Sequence, residues 1–208
     1  MNDSRRDRLR KAYDSGADAR DRYDLPQWKV SERAGFLSQL RVNGLTRLLE
    51  VGAGTGRDSR YFAEEGCVVT CIDLSPEMVR LCRDKGLEAL VMDVADMSFA
   101  DELFDAVYSF NSLLHLPKDE LPSVLLEICR VLKPEGLFFF GTWGGFEHEG
   151  IHENDDHDPQ RFFSFHDDEQ LERVASQSFD VLDFRSLDGH AGDPRFCFQS
   201  LLLRKPRH

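Results

Sequence analysis

Residues 46–66, TRLLEVGAGTGRDSRYFAEEG, constrain this chain more than any other stretch. Leu48, Leu49 and Val51 form a short apolar run without alternation, the pattern of a strand buried on both faces of a parallel sheet. Gly52, Gly54 and Gly56 follow at every second position. Glycine reaches backbone angles closed to other residues, and without Cβ it lets a ligand press against the main chain. A helix through Tyr61, Phe62 and Ala63 then aims its free N–H groups and positive dipole end at that ligand. A strand, a glycine turn and a helix in this order place a nucleotide-like ligand at the C-terminal edge of a parallel sheet. The turn is G-x-G-x-G, with Arg57 where the dinucleotide fingerprint G-x-G-x-x-G has its third glycine.

The 208 residues suffice for one α/β domain with a sizeable core. No apolar run approaches the ~20 residues needed to cross a bilayer, and the first residues are charged. The expectation is therefore a cytoplasmic protein with no membrane partner. A net charge of −12 argues against a nucleic-acid interface, which needs clustered Lys and Arg against phosphate. It leaves room for a small anionic substrate, because a local patch can oppose the global field. The five cysteines, an odd number in apolar settings, indicate buried free thiols in a reducing compartment, and Cys67 with Cys71 lacks the second pair that a zinc site needs. No metal is expected.

The chain divides into a helical arm or lid over 1–45 and an α/β domain over 46–208. Residues 1–24 carry mixed charge, and 27–41 shows helical spacing after Pro26. Strands are expected at 67–72, ending at Asp73, at 87–92, ending at Asp93, at 105–110, ending at Asn111, and at 137–142. Helices alternate with them, which implies right-handed crossovers and helices on both faces of a doubly wound, mostly parallel sheet. Residues 143–165 are expected to be a long irregular segment, followed by a helix at about 167–177. Runs at 179–187 and 195–203 close the sheet as an antiparallel hairpin, bringing it to seven strands.

With Glu50 in front, LLEVGAGTGR resembles motif I of the class I (seven-strand, Rossmann-like) S-adenosylmethionine (SAM)-dependent methyltransferases, and the resemblance covers about 46–142. It implies that Glu50 belongs to the cofactor site, that Gly52, Ala53 and Gly54 lie along the methionine part of SAM, and that Asp73 accepts hydrogen bonds from both ribose hydroxyls. It places Leu74 and Met78 near the adenine, Asp93 with the backbone of Val94 at the adenine edge, and Phe110 and Asn111 by the amino-acid end. His115, in NSLLHLP, falls where relatives border both the methyl and the acceptor, and an imidazole near pKa 6.5 suits a general base. Tyr13, Tyr23 and Trp28 of the arm, with Trp143, Arg161 and Phe162 of the long segment, are the expected acceptor wall.

Two sharper-looking strings carry less. His148–His152 reads H-E-x-x-H, but the Gly150 within it and the glycines before it oppose the helix that zinc peptidases need. The acidic run at 155–158 lacks calcium-loop spacing and is expected to be solvated. Asn111-Ser112-Leu113-Leu114 lacks the two prolines and the aromatic found at this place in relatives that methylate nucleobases or glutamine, which leaves a small molecule as acceptor. The resulting expectation is a SAM-dependent methyltransferase, monomer or homodimer, with S-adenosylhomocysteine (SAH) as its cofactor product. The rival readings are an NAD-dependent oxidoreductase and a non-catalytic SAM-binding protein.

Overall fold

Burial on both faces is what selects the sheet order. The computed structural model describes residues 3–22, 25–188 and 195–207. Its elements are helices α1 (Asp3–Arg20) and α2 (Gln27–Val42), strand β1 (Arg47–Val51), α3 (Arg57–Glu64), β2 (Val68–Asp73), α4 (Pro76–Asp84), β3 (Glu88–Val91) and β4 (Phe104–Phe110). There follow a short 3-10 turn (Leu113–His115), α5 (Leu121–Val131), β5 (Leu132–Gly144), β6 (His148–Ile151), β7 (Phe162–Phe165), α6 (Asp168–Ala175), β8 (Asp180–Asp188) and β9 (Cys197–Arg204). Seven strands pair in the order β3-β2-β1-β4-β5-β9-β8. The first five run parallel, and β9 is antiparallel to both β5 and β8.

Adjacent residues of one strand enter opposite cores. Leu49, Val107, Phe138 and Phe140 pack under α5 and α6 with Leu125, Ile128 and Leu171. Leu48, Ala106, Tyr108, Leu137 and Phe139 pack under α2 and α3 with Phe36, Leu40 and Phe62. Such strands have no polar face, which is why the sequence shows apolar runs in place of alternation. The order reverses between β1 and β4, so the crevice beyond their C-terminal ends is the switch point where open α/β sheets bind ligands.

Three expectations need correction. The segment 143–165 is not irregular throughout: β5 extends to Gly144, and β6 and β7 form a separate two-stranded sheet. Alternating glycines and histidines hid a strand whose pairing partner lies eleven residues further on. β5 also begins earlier than Leu137: it starts at Leu132, and Pro134 and Gly136 shift its register without ending it. Asp155 is not solvated, since its side chain is 1% exposed and holds Arg161. His148 and His152 lie on and just after a strand, so the helical geometry of a zinc peptidase is absent there. The turn expected between the last two strands lies largely outside the described residues. Among those residues no helix is long and apolar enough to cross a membrane.

A buried carboxylate fastens α2 to the sheet's far edge. Glu32 accepts hydrogen bonds from Arg185 at 3.0 and 2.9 Å and from the Ser200 hydroxyl at 2.6 Å. Arg185 is half exposed and water can re-solvate it, so Glu32→Ala should cost only about 1–2 kcal/mol of stability, with Glu32→Gln recovering part. Chemical denaturation measures this, and an unchanged midpoint in Glu32→Ala would show that the tie contributes nothing net.

Candidate cofactor and active site

The glycine turn closes β1 in left-handed backbone, with φ of 67° at Gly52, 55° at Gly54 and 78° at Gly56. A Cβ on Gly52 would lie 2.2 Å from Ser112 Cβ, so the close approach of the β1 and β4 loops admits no side chain. At Gly54 nothing lies within 4 Å of where a Cβ would stand. The chain is thus packed tightly on one side of the turn and open on the other.

Asp73 sets the shape of that opening. One of its carboxylate oxygens accepts the Gly54 N–H at 2.9 Å and the other the Ser75 N–H at 2.9 Å. A carboxylate offers about four acceptor positions, so capacity remains on the cleft side. Burial raises its pKa above the ordinary value, against the pull of those two N–H groups. Glu50 accepts from the Ser59 hydroxyl, but burial, with the charge of Asp58, holds its carboxyl well above the usual range.

These groups share a cavity of about 170 Å³. Of the residues expected at the cofactor, Glu50, Gly52, Ala53, Gly54, Asp73, Leu74, Val94, Phe110 and Asn111 line it. Asn111 has φ of 56°, and its Oδ1 is buried without a hydrogen-bond partner. An unsatisfied carbonyl on a cavity wall is a costly arrangement that a ligand donor would relieve.

Two expected contacts lie elsewhere. Met78 does not reach this cavity: it packs with Ala17 and Leu81 beneath α1. Asp93 pairs with Arg6 of α1 and borders a separate recess of about 60 Å³. The arm's own charges, invisible as a tertiary feature in the sequence, drew that carboxylate aside. Lys29, Arg20, Arg57, Ser75 and Ser112 also line the cavity and were not expected there. For Ser112 the adjacent Asn111 was a signal. Arg57 directly follows the glycine turn, whereas Arg20 and Lys29 gave no signal, because only the packing of α1 and α2 brings them in.

The expected acceptor wall splits in two. Trp28 and Trp143 meet edge to face at 5.5 Å and pack on Phe198 at 4.7 and 5.6 Å, outside the lining of the cavity. Tyr13 lines the cavity beside His115, while Tyr23 lies outside the described residues. The Tyr13 hydroxyl is 2.6 Å from His115 Nε2, and Arg161 Nη1 donates to it at 3.2 Å. His115 Nδ1 lies 2.8 Å from the Phe162 carbonyl, which can only accept, so Nδ1 carries the proton and Nε2 accepts from Tyr13. Arg161 is in turn held by Asp155 at 2.6 and 3.0 Å. Burial, with Arg161 and Arg20 nearby, pushes His115 down to about 3. Both ring nitrogens are therefore occupied, and the ring stays neutral at physiological pH.

Residues 49–140 match the family described as Methyltransferase domain. Over that stretch the chain is similar to the class I SAM-dependent methyltransferases. Among curated relatives, the glycine/sarcosine/dimethylglycine N-methyltransferase of Actinopolyspora halophila is 43% identical over 57% of this chain and 23% of its own length. The malonyl-[acyl-carrier protein] O-methyltransferase of Geobacter sulfurreducens is 35% identical over 67% of this chain and 54% of its own. The chain thus spans about half or less of the curated relatives it matches. Among solved structures, the 1,6-didemethyltoxoflavin-N1-methyltransferase of Burkholderia thailandensis, holding SAH and 1,6-didemethyltoxoflavin, aligns with a TM-score of 0.72 at 23% identity, over 95% of this chain and 87% of that one. The [4+2]-cyclase SpnF aligns at 0.64 and 21% identity, over 78% of this chain and 75% of that one. The family's fold thus also serves a protein named for another reaction.

Two outcomes follow from the geometry. Gly52→Ala should lose about 1–3 kcal/mol of stability from left-handed strain and the Ser112 clash, and Ser112→Gly should restore only the clash portion. Full restoration by the double variant would remove the strain argument. For His115, the unfolded ring titrates near 6.5 and the folded ring near 3, so the folded state is favoured fully above pH 6.5. As pH falls from 6.5 toward 3, stability should decline by up to about 1.4 kcal/mol per pH unit from this group. His115→Gln should flatten the slope in denaturation series, and an unaltered slope would contradict it.

Proposed function

We propose that the chain transfers the methyl group of SAM to a small-molecule acceptor. The observation that carries this reading is the convergence of three successive strand ends on one cavity. The open side of Gly54, the remaining acceptor capacity of Asp73 and the unpaired Asn111 Oδ1 face it together. They suit, in order, a chain passing close to the backbone, a ribose diol and an ammonium donor. SAM, when bound, supplies an already electrophilic methyl on its sulfonium, so the protein's part is alignment, exclusion of water and disposal of a proton.

The chain's own residues serve those ends. Helix α1 lies over the cleft, pinned where Asp14 accepts from Ser75 Oγ at 2.5 Å and where Asp21 pairs with Lys85 at 2.9 Å. The Tyr13 hydroxyl, fixed between His115 and Arg161, is one of the polar groups that this helix brings to the cavity, with Arg10 and Arg20. We assign His115 first to orienting that hydroxyl, because its Nε2 is engaged and its basicity is low. The relatives' names, among them a glycine/sarcosine/dimethylglycine N-methyltransferase and a ubiquinone biosynthesis O-methyltransferase, and the net charge of −12 favour a small acceptor over nucleic acid. Arg57 in the third-glycine position weighs against NAD.

Titration calorimetry with SAM, SAH and NAD tests the reading. SAM and SAH should bind, and NAD should not; NAD binding alone would overturn it. Asp73→Asn should weaken SAH by about 1.5–3 kcal/mol, the range for hydrogen bonds to a charged group, while the folded state persists. Equal affinity in the two proteins would take Asp73 out of the site.

A further inference from the structure

Glu50, near the end of β1, is a carboxyl with nothing beside it to balance a charge. It is 3% exposed, and it lines the cofactor cavity. Its donors are the hydroxyl and the backbone N–H of Ser59, both neutral. Among the described residues, no Lys, Arg or His pairs with it.

The groups packed around it make a charge there costlier still. Asp58 of α3 opposes one, and so does Cys71, its neighbour on β2. Tyr108, its neighbour on β4, keeps a buried phenol without a hydrogen-bond partner. Cys82 of α4 brings no charge, since its hydrogen bond with Cys71 and its burial hold the thiol protonated. The cations that line the cleft face other carboxylates. Arg10 pairs with Asp7, Arg20 faces Asp73, Arg57 faces Asp21, and Lys29 faces Asp58, which also holds Arg33 at 2.8 Å. Asp73 differs from Glu50 in this respect, having two backbone N–H donors as well as Arg20. A buried carboxyl beside like charge and without a cation takes up a proton in preference to staying charged.

We propose, resting on the cofactor reading, that Glu50 holds a proton in the protein without cofactor and yields it to solvent when the cofactor's ammonium enters the cleft. Binding of SAM or SAH is then coupled to proton release. The unpaired Oδ1 of Asn111 lines the same cavity and suits the same ammonium. That group brings the cation the chain does not supply to Glu50, and its arrival lets the carboxylate ionise. Proton and ammonium compete, so the coupling is reciprocal and acid weakens cofactor binding. The free protein binds the proton more tightly than the complex does. Affinity therefore rises with pH from the ordinary carboxyl range upward, and levels off where Glu50 ionises unaided.

The test is titration calorimetry on the full chain at pH 6.5, as an order-of-magnitude choice of about two units above the ordinary carboxyl value. Runs in phosphate and in imidazole, whose ionisation enthalpies differ, count the protons released per ligand bound. SAH is one probe. The other is 5′-methylthioadenosine, which keeps the adenosine and the thioether but lacks the ammonium and carboxylate. SAH should release about half a proton or more, and 5′-methylthioadenosine none. Glu50→Gln, which keeps the shape of the protonated carboxyl, should abolish the release. It should match the wild-type SAH affinity in acid and fall about tenfold or more behind it above neutral pH. SAH binding without proton release in the wild-type chain overturns the proposal and leaves the cofactor reading standing. Release that persists in Glu50→Gln, or that is equal with 5′-methylthioadenosine, overturns it too, because the proton then comes from another group, such as Asp73. The comparison of the two ligands on the wild-type chain decides the matter even where Glu50→Gln does not fold. If the wild-type chain takes no SAH, the cofactor reading fails at the first step and the proposal falls with it.

Discussion

The structure depends on the contact between the ends of β1 and β4, where Gly52 meets Ser112 with no space for a single carbon. Ser112 Oγ donates to the Val51 carbonyl at 3.1 Å, and Gly52 and Ala53 donate to the Ile72 carbonyl at 2.9 and 3.0 Å. Three strand ends are thereby drawn to one point. The residues that follow them, Ala53, Asp73 and Asn111, all line the crevice. The left-handed backbone is costly for ordinary residues, and glycine lowers that cost where the chain must turn into α3.

Helix α1 is attached by a different kind of force. Its fully buried apolar contacts are few, Ala12 and Ala17 among them, and most of its hold comes from charge. Arg5 and Arg6 reach Glu120, Arg6 reaches Asp93, and Asp18 reaches Arg80. Exposed pairs of this sort contribute about 0–1 kcal/mol each and weaken with salt. The arm is therefore held to the body less firmly than the strands are held to one another. The Tyr13–His115 contact joins the same helix to the loop after β4.

Much of this was legible in the sequence, for a physical reason. Strands buried on two faces are apolar over most of their length, and LLEV, CVVTCI and LFFFGT show it without an alignment, Glu50, Thr70 and Thr142 being their polar members. Strand-end residues with distinct chemistry, such as Asp73 and Asn111, stand out against such runs. What stayed hidden depends on long-range packing. The β6–β7 pair joins residues separated by a loop, and its glycines and histidines have low strand propensity. Asp93 was expected at the adenine because its place in the chain fits, yet its partner is Arg6, 87 positions earlier. Trp28 and Trp143 were expected to face an acceptor, but Phe198, from the last strand, gave them an apolar surface to pack on. The basic cluster around Lys29 is the clearest such case, since it combines residues of α1, α2 and α3 that no local pattern connects.

Hydrogen–deuterium exchange, with SAH or NAD added to the intact chain, tests the central claim most directly. The account predicts that SAH slows exchange at residues 52–57, 73–75 and 110–112 together, and in helix α1 over 3–20 as the lid closes, while NAD leaves all four unchanged. Protection confined to regions away from the glycine turn, or protection by NAD in place of SAH, would contradict it.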